Sequence, residues 1–114
     1  MRSRWGDRER GSVTAEFAVA LPAIALVLAA SLAAVHVVAV QVRLADAAAD
    51  AARALGRGES EAEAAEIARR NAGGSGLTIT GDVRFVCAVL TGRAGGVLHG
   101  LELRAESCAL RGGL

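Results

Sequence analysis

The strongest constraint on this chain is a long apolar run at residues 17–42, which follows a short polar stretch. The run contains no Asp, Glu, Lys or Arg, and its roughly 26 residues would extend about 39 Å as an α-helix. The hydrocarbon core of a bilayer is roughly 30 Å thick, so one such helix can cross it. We therefore predict a transmembrane helix at residues 12–42, with a leader at residues 1–11 before it.

The composition restricts what the remaining residues can form. The chain has 114 residues, so fewer than about 75 are left for a water-exposed domain. Hydrophobic residues make up 53% of the chain but aromatic residues only 3%, which leaves little material for a deep pocket. The formal net charge of +1 provides no basic face for nucleic acid. We expect neither an enzyme nor a nucleic-acid-binding protein.

The charges before the run predict its orientation. The leader carries four arginines against Asp7 and Glu9, and basic residues beside an apolar span tend to remain in the cytoplasm. We therefore place the N-terminus in the cytoplasm and everything after Val42 outside. A secretory signal peptide is the alternative, but its apolar core usually has about 7 to 15 residues. The candidate cleavage site at residues 45–47 also lies beyond the run.

Several residues inside the run are noteworthy. Pro22 removes a backbone donor and predicts a kink one turn before it. Alanines recur at four-residue spacing, which would let a second helix approach closely. The alternative is that alanine is simply abundant in this run. These alanines are Ala25, Ala29 and Ala33, with Ala30 and Ala34. His36 and Gln41, near the far end, are expected to lie at the membrane interface without a chemical role.

Two helical patterns follow the run. Leu44, Ala48, Ala51 and Leu55 share one face of residues 41–55, so we predict that the first helix continues outside the membrane to residue 55. The glycines at residues 56–58 end this extension, which we assign to residues 43–57. A second short helix should begin with a capping box at residues 60–63. Its apolar face is thin, and we expect weak packing through Ala62, Ala65 and Ile67.

From residue 77 the apolar residues recur with a period of two, which is typical of strands. We predict strands at residues 77–80 and 83–90, with Gly81 and Asp82 in the turn between them, and a third strand within residues 97–110. Val83, Phe85, Cys87 and Val89 would share one face of the second strand. Residues 58–114 are therefore predicted to be a small extracytoplasmic α+β domain with an antiparallel sheet of two or three strands.

The chain has two cysteines, Cys87 and Cys108. Outside the cytoplasm such a pair favours a disulfide, and two buried free thiols are the alternative. Strict alternation places Cys108 on the polar face with Glu106, so a disulfide is expected to require a bulge or an early end of the strand. His36 and His99 lack a third ligand at metal-binding spacing, and no glycine-rich loop has the context of a phosphate site. We expect no metal, cofactor or small-molecule substrate.

The start of the apolar run carries the most specific pattern. Gly11 ends the basic leader, Glu16 follows five residues later, and Phe17 opens the apolar helix. This arrangement resembles the type IV prepilin cleavage signal. It is similar to that of the TadE-like minor pilins, or pseudopilins, of the tight-adherence (Flp) pilus. The sequence at residues 46–58 and the two cysteines resemble actinobacterial members, so that the resemblance covers most of the chain.

The resemblance implies a pilin-like fold and a structural role in a pilus or a related secretion apparatus, which would serve adhesion or secretion. A membrane prepilin peptidase would cut between Gly11 and Ser12, and the helix would remain in the cell membrane as a single-pass anchor. Glu16 would pair with the amine of Ser12, its own or that of a neighbouring subunit, next to Phe17. The implied partners are membrane lipid, the peptidase, other pilin subunits and the pilus assembly platform.

Other interpretations remain open at the level of sequence. The chain could be an uncleaved, membrane-anchored interaction module whose outer domain binds a partner, or an effector released by signal peptidase. Glu16 could also extend its carboxylate to the membrane surface without pairing with an amine.

Overall fold

The computed structural model describes residues 4–73 and 76–112, with side chains from residue 11 onward. The chain divides into two compact units, Met1–Ala34 and Val35–Leu114. Helix α1, Arg4–Gly56, contributes to both and begins earlier than the predicted start near Ser12. Helix α2, Glu61–Ala72, and three antiparallel strands complete the predicted α+β layout.

The first unit contains the N-terminal part of α1. The helix continues through Pro22, although proline cannot donate a backbone hydrogen bond to the carbonyl one turn earlier. Ser31 satisfies its hydroxyl within the helix, because its Oγ donates to the carbonyl oxygen of Val27 at 2.8 Å. The polar hydroxyl of Ser31 therefore needs no partner outside the helix.

The second unit packs its sheet against helices through one cluster of mostly small side chains. The strands are β1, Gly76–Gly81, β2, Phe85–Arg93, and β3, Glu102–Leu110, in the order β1-β2-β3. A 3-10 turn, Gly96–Leu98, lies in the β2–β3 connection. The buried cluster contains Leu44, Ala47, Ala48, Ala51, Ala52, Ala64, Ala68, Ala88, Leu90 and Ala105. The predicted apolar face of residues 41–55 is thus confirmed, with further alanines at its sides.

The sheet buries a face of β2 that the sequence did not distinguish. Val86, Ala88 and Leu90 are buried, and Ala88 and Leu90 join the cluster with α1. The predicted set of Val83, Phe85, Cys87 and Val89 belongs to the opposite face or to the preceding turn. Phe85 remains 43% exposed there and Cys87 is half-buried, whereas Val89 is buried outside the cluster. Small and aliphatic side chains suit the inner face because the facing surface of α1 consists of alanines and one leucine, Leu44.

Helix α2 begins with the Ser60 half of the predicted capping box and packs through another face. The backbone N–H of Glu63 donates to Ser60 Oγ at 3.2 Å, which satisfies one of the free donors of the first turn. Gly73, with φ of 22°, ends the helix. Ala64 and Ala68 are buried. Of the predicted packing residues, Ala62 and Ala65 are exposed and Ile67 is half-buried. This prediction was wrong because the deep contact uses alanines four residues apart.

Strand β2 runs antiparallel to α1, and three close approaches fix their alignment. A Cβ on Gly56 would lie 2.8 Å from the carbonyl oxygen of Leu110, the residue paired with Phe85 at the start of β2. A Cβ on Gly92 would lie 3.2 Å from Leu44 Cδ2. Further along, a Cβ on Gly95 would lie 3.4 Å from His36 Nε2. The end of β2 therefore lies beside the part of α1 that precedes Leu44.

The β1–β2 turn forms at the predicted residues. Gly81 adopts φ of 137°, and a Cβ there would collide with the carbonyl oxygen of Phe85. Asp82 Oδ1 accepts hydrogen bonds from the backbone N–H groups of Phe85 at 2.9 Å and Arg84 at 2.7 Å. These two bonds stabilise the charged carboxylate and lower the pKa of Asp82 below its ordinary value of 3.8.

The Asp82 carboxylate predicts a decline in stability in acid. A carboxyl group whose pKa is lowered by folding stabilises the fold above its ordinary pKa, and this contribution is lost as the pH falls through the lowered value. We expect urea denaturation to show a smaller difference between wild type and Asp82→Asn in acid below the lowered pKa than at neutral pH. An equal difference at both pH values would contradict a role for the ionised carboxylate.

Candidate processing and anchoring segment

The predicted cleavage site lies within helix α1. Gly11 and Ser12 are both helical and exposed. A Cβ on Gly11 would meet nothing within 4 Å, so this glycine is not explained by close packing against another described part of the chain. Glycine in a helix interior costs about 1 kcal/mol relative to alanine. Gly11 therefore lowers the intrinsic helix propensity at the predicted cleavage point, although Pro22 lowers it more further along the same helix.

The first unit exposes a continuous apolar surface. An 18-residue window within Gly11–Gly56 has a mean hydropathy of 2.5, and none of this window is buried. Its large side chains are exposed all round the helix, including Phe17 at 62%, Val19 at 75% and Leu32 at 70%. A helix that is apolar on every side needs cover from lipid or from other helices. By length and composition, α1 is a candidate membrane span.

Glu16 lies within this exposed apolar helix. It forms no ion pair with any residue for which side chains are described, and it occupies the position four residues after Ser12. Residues at this spacing share one helix face, so the carboxylate of Glu16 and the first residue of a cleaved chain lie on the same side. Phe17 is adjacent in sequence and also exposed. The pairing of Glu16 with an amine stays a prediction.

The two cysteines form a disulfide in the sheet. Cys87 of β2 and Cys108 of β3 are direct partners in the register, with their Cα atoms 4.0 Å apart. Both lie on the face opposite the buried cluster, where Val89 faces Glu106. The expected bulge or early strand end is therefore absent from the described β2–β3 pairing. That expectation was wrong because it assumed that Cys87 faces the core.

Loss of the disulfide should destabilise the second unit. The bond joins residues 21 apart, and closing a loop of this size stabilises a fold by roughly 3 kcal/mol in the chain-entropy model. We expect the double variant Cys87→Ala, Cys108→Ala to lose about this much free energy of unfolding in urea, and reduced wild type to behave similarly. Alkylation of both cysteines in non-reduced, folded protein would contradict the bond.

Among the residues that the structure describes, three side chains of types that bind metals lie close together. The ligand atoms of Cys87, Glu106 and Cys108 lie within 4.8 Å of one another. Metal-binding cysteine coordinates as a thiolate, and both sulfurs here are committed to the disulfide. His99 places Nδ1 3.1 Å from the carbonyl oxygen of Gly96, within its own turn.

Two long-range polar contacts had no local signal in the sequence. Gln41 Nε2 donates to the carbonyl oxygen of Arg104 in β3 at 2.9 Å, and Asn71 Nδ2 donates to Asp50 Oδ2 at 3.0 Å. Gln41 therefore contacts the sheet although the sequence placed it in the predicted span. A contact across 63 residues cannot be found from helical periodicity, which relates only residues one or two turns apart.

No family model, curated protein or solved structure matches this chain significantly.

Proposed function

We propose that this chain is a pilin-like structural subunit, anchored by a single helix in the cell membrane and processed by a prepilin peptidase after Gly11. The observation that supports it most is the exposed apolar surface of the helix in the first unit, whose apolar run starts with Phe17, the last residue of the Gly11 to Phe17 pattern. The small disulfide-bonded unit that follows would be extracytoplasmic. The mature subunit would join other pilin subunits through the assembly platform of a Tad-type pilus or a related secretion apparatus.

The structure suggests where the hydrocarbon-spanning part of α1 ends. Val40 packs against the buried cluster of the second unit, and Gln41 bonds to Arg104. These residues are therefore in contact with protein, although the sequence alone extended the span to Val42. Residues 17–35 would extend about 28 Å as a helix, close to the thickness of the hydrocarbon core. We infer that the boundary lies near His36.

One observation favours the alternative of an uncleaved, membrane-anchored interaction module. Gly11 and Ser12 are helical, whereas a peptide bond must become accessible in a peptidase cleft before it is cut. Local unwinding at Gly11 reconciles cleavage with this helix, because glycine is a poor helix former. The two functions therefore differ in the N-terminus of the protein found in cells.

Intact-mass measurement on protein from cells with and without a prepilin peptidase tests the proposal. A mature chain that starts at Ser12 only in the presence of the peptidase supports it. A chain that starts at Met1 in both cases supports the uncleaved module. A chain that starts beyond residue 42 would indicate release by signal peptidase and contradict membrane anchoring.

Glu16 should matter for assembly and not for cleavage. Pairing between its carboxylate and the Ser12 amine would offset the cost of placing either charge alone in an apolar setting. We expect Glu16→Ala to be processed normally but to enter sheared pili about tenfold less, which corresponds to about 1.4 kcal/mol of pairing free energy. Glu106→Ala, at an exposed site in β3, is the control. Normal incorporation of Glu16→Ala would exclude the pairing role.

A further inference from the structure

The loop at residues 94–101 holds an apolar side chain away from the rest of the protein. Val97 is 96% exposed, more than any other large hydrophobic residue in the described part of the chain. It lies in the 3-10 turn Gly96–Leu98. The turn is closed at its base, where the N–H of Ala94 donates to the carbonyl oxygen of Leu101 at 3.0 Å. Val97 is therefore presented by a hydrogen-bonded loop.

The loop lies beside the first turns of α1 within the second unit. Gly95 approaches the ring of His36, and His36 is the second residue of that unit. The distances along α1 and along the chain from β2 into the loop agree with this position. From Leu44 back to His36 the helix rises about 12 Å, and from Gly92 to Gly95 an extended strand advances about 10 Å. The loop thus reaches the level of His36, near the start of this unit.

The polar groups around the loop suit a lipid surface. Residues 94–101 contain no acid, and His99 is their one titratable group. Arg93 directly precedes the loop, and it lines an open cleft with Arg43 and Glu102 that contains no residue of the loop itself. Neither arginine forms an ion pair with any described residue. Arginines beside a membrane contact attract lipid phosphates, whereas an acid at the loop tip would be repelled by anionic lipid.

We propose that the 94–101 loop is a second membrane contact, in which Val97 enters the lipid interface next to the end of the α1 span. The proposal rests on the membrane anchoring argued above and adds a lipid-binding site in the second unit. Together, span and loop would contact the membrane at two points.

Tryptophan fluorescence in vesicles tests this contact. Full-length protein carrying Trp5→Phe is reconstituted in vesicles of phosphatidylcholine and phosphatidylglycerol, with or without brominated acyl chains that quench tryptophan. One variant adds Val97→Trp. Its matched control is Val83→Trp, since Val83 is 91% exposed in the β1–β2 turn, at the other end of the sheet. Leu26→Trp reports on the span itself.

We expect Val97→Trp to emit at shorter wavelength than Val83→Trp and to lose fluorescence to brominated lipid nearly as Leu26→Trp does, while Val83→Trp is unaffected. Quenching of Leu26→Trp alone would overturn the loop contact and leave the anchor intact. Blue-shifted emission of Val97→Trp without quenching would show cover by protein and also overturn it. Absence of quenching at Leu26→Trp would contradict both the anchor and the loop contact.

Discussion

Replacement of Leu44 by alanine is expected to leave the second unit unfolded in a large fraction of the molecules. Leu44 is 2% exposed and, with Leu90 and Val86, is among the largest fully buried side chains of the described residues. Substitutions of this kind cost about 2–5 kcal/mol, because the transfer free energy is lost and a cavity remains. A core of fewer than about 80 residues rarely supplies more than about 3–5 kcal/mol. The loss is therefore comparable with the whole stability.

The surroundings of Leu44 make a large value reasonable. Its neighbours in the cluster are mostly alanines, whose side chains have no rotamers with which to fill a cavity. Gly92, which lies against the Leu44 methyl groups, has no side chain at all. Collapse around the missing atoms would require a backbone shift of α1 or β2. We therefore expect the loss of stability for Leu44→Ala to lie toward the upper end of about 2–5 kcal/mol.

The measurement is urea-dependent proteolysis of non-reduced protein in detergent micelles. Leu26→Ala is the matched control, since Leu26 belongs to the same helix but is 72% exposed, and its cleavage midpoint should equal that of wild type. Leu44→Met should restore most of the stability because it preserves volume. A midpoint for Leu44→Ala within error of wild type would contradict the packing of α1 on the sheet.

Substitution of Gly11 by leucine is expected to abolish maturation. Glycine leaves the peptide bond free of a side chain and weakens the helix around it, and leucine reverses both effects because it is large and a good helix former. Unprocessed protein would retain the eleven residues of the predicted leader. Immunoblots against a C-terminal tag, followed by intact mass, would show one slower species in cells that contain the peptidase.

A second glycine in the leader provides the control for this experiment. Gly6→Leu makes the same change five residues earlier, away from the predicted scissile bond, and should be processed as wild type. Equal migration of Gly11→Leu, Gly6→Leu and wild type, with a mature start at Ser12 in all three, would rule out the proposed recognition of Gly11.

The candidate site is more local than the fold, and so its pattern was easier to find. Gly11, Glu16 and Phe17 lie within seven residues, and an acid in an apolar run is conspicuous without any structure. The contact between His36 and Gly95 joins residues far apart in sequence, and no pattern in the residues next to either one indicates it. Only the alignment of β2 with α1 shows that the 94–101 loop lies beside His36.

The sequence by itself determined the elements whose causes are local. The apolar run, the glycines after residue 55 and Ser60 each act through neighbouring residues. The run is helical, α1 ends at Gly56, and Ser60 Oγ caps α2 as predicted. The period-two pattern likewise predicted the strands and the turn at Asp82. Such signals depend on backbone geometry over a few residues, and the rest of the fold does not change them.

Only the tertiary structure decided which faces are buried. Both faces of β2 are apolar, with Val86, Ala88 and Leu90 on one and Phe85, Cys87 and Val89 on the other, so alternation could not choose between them. The choice depends on the alanine-lined surface of α1, which accommodates the smaller set. Once that face is inside, the register places Cys87 directly opposite Cys108 without a bulge. Whether a strand face is buried depends on the surface that packs against it, and the pattern of a single strand does not contain that surface.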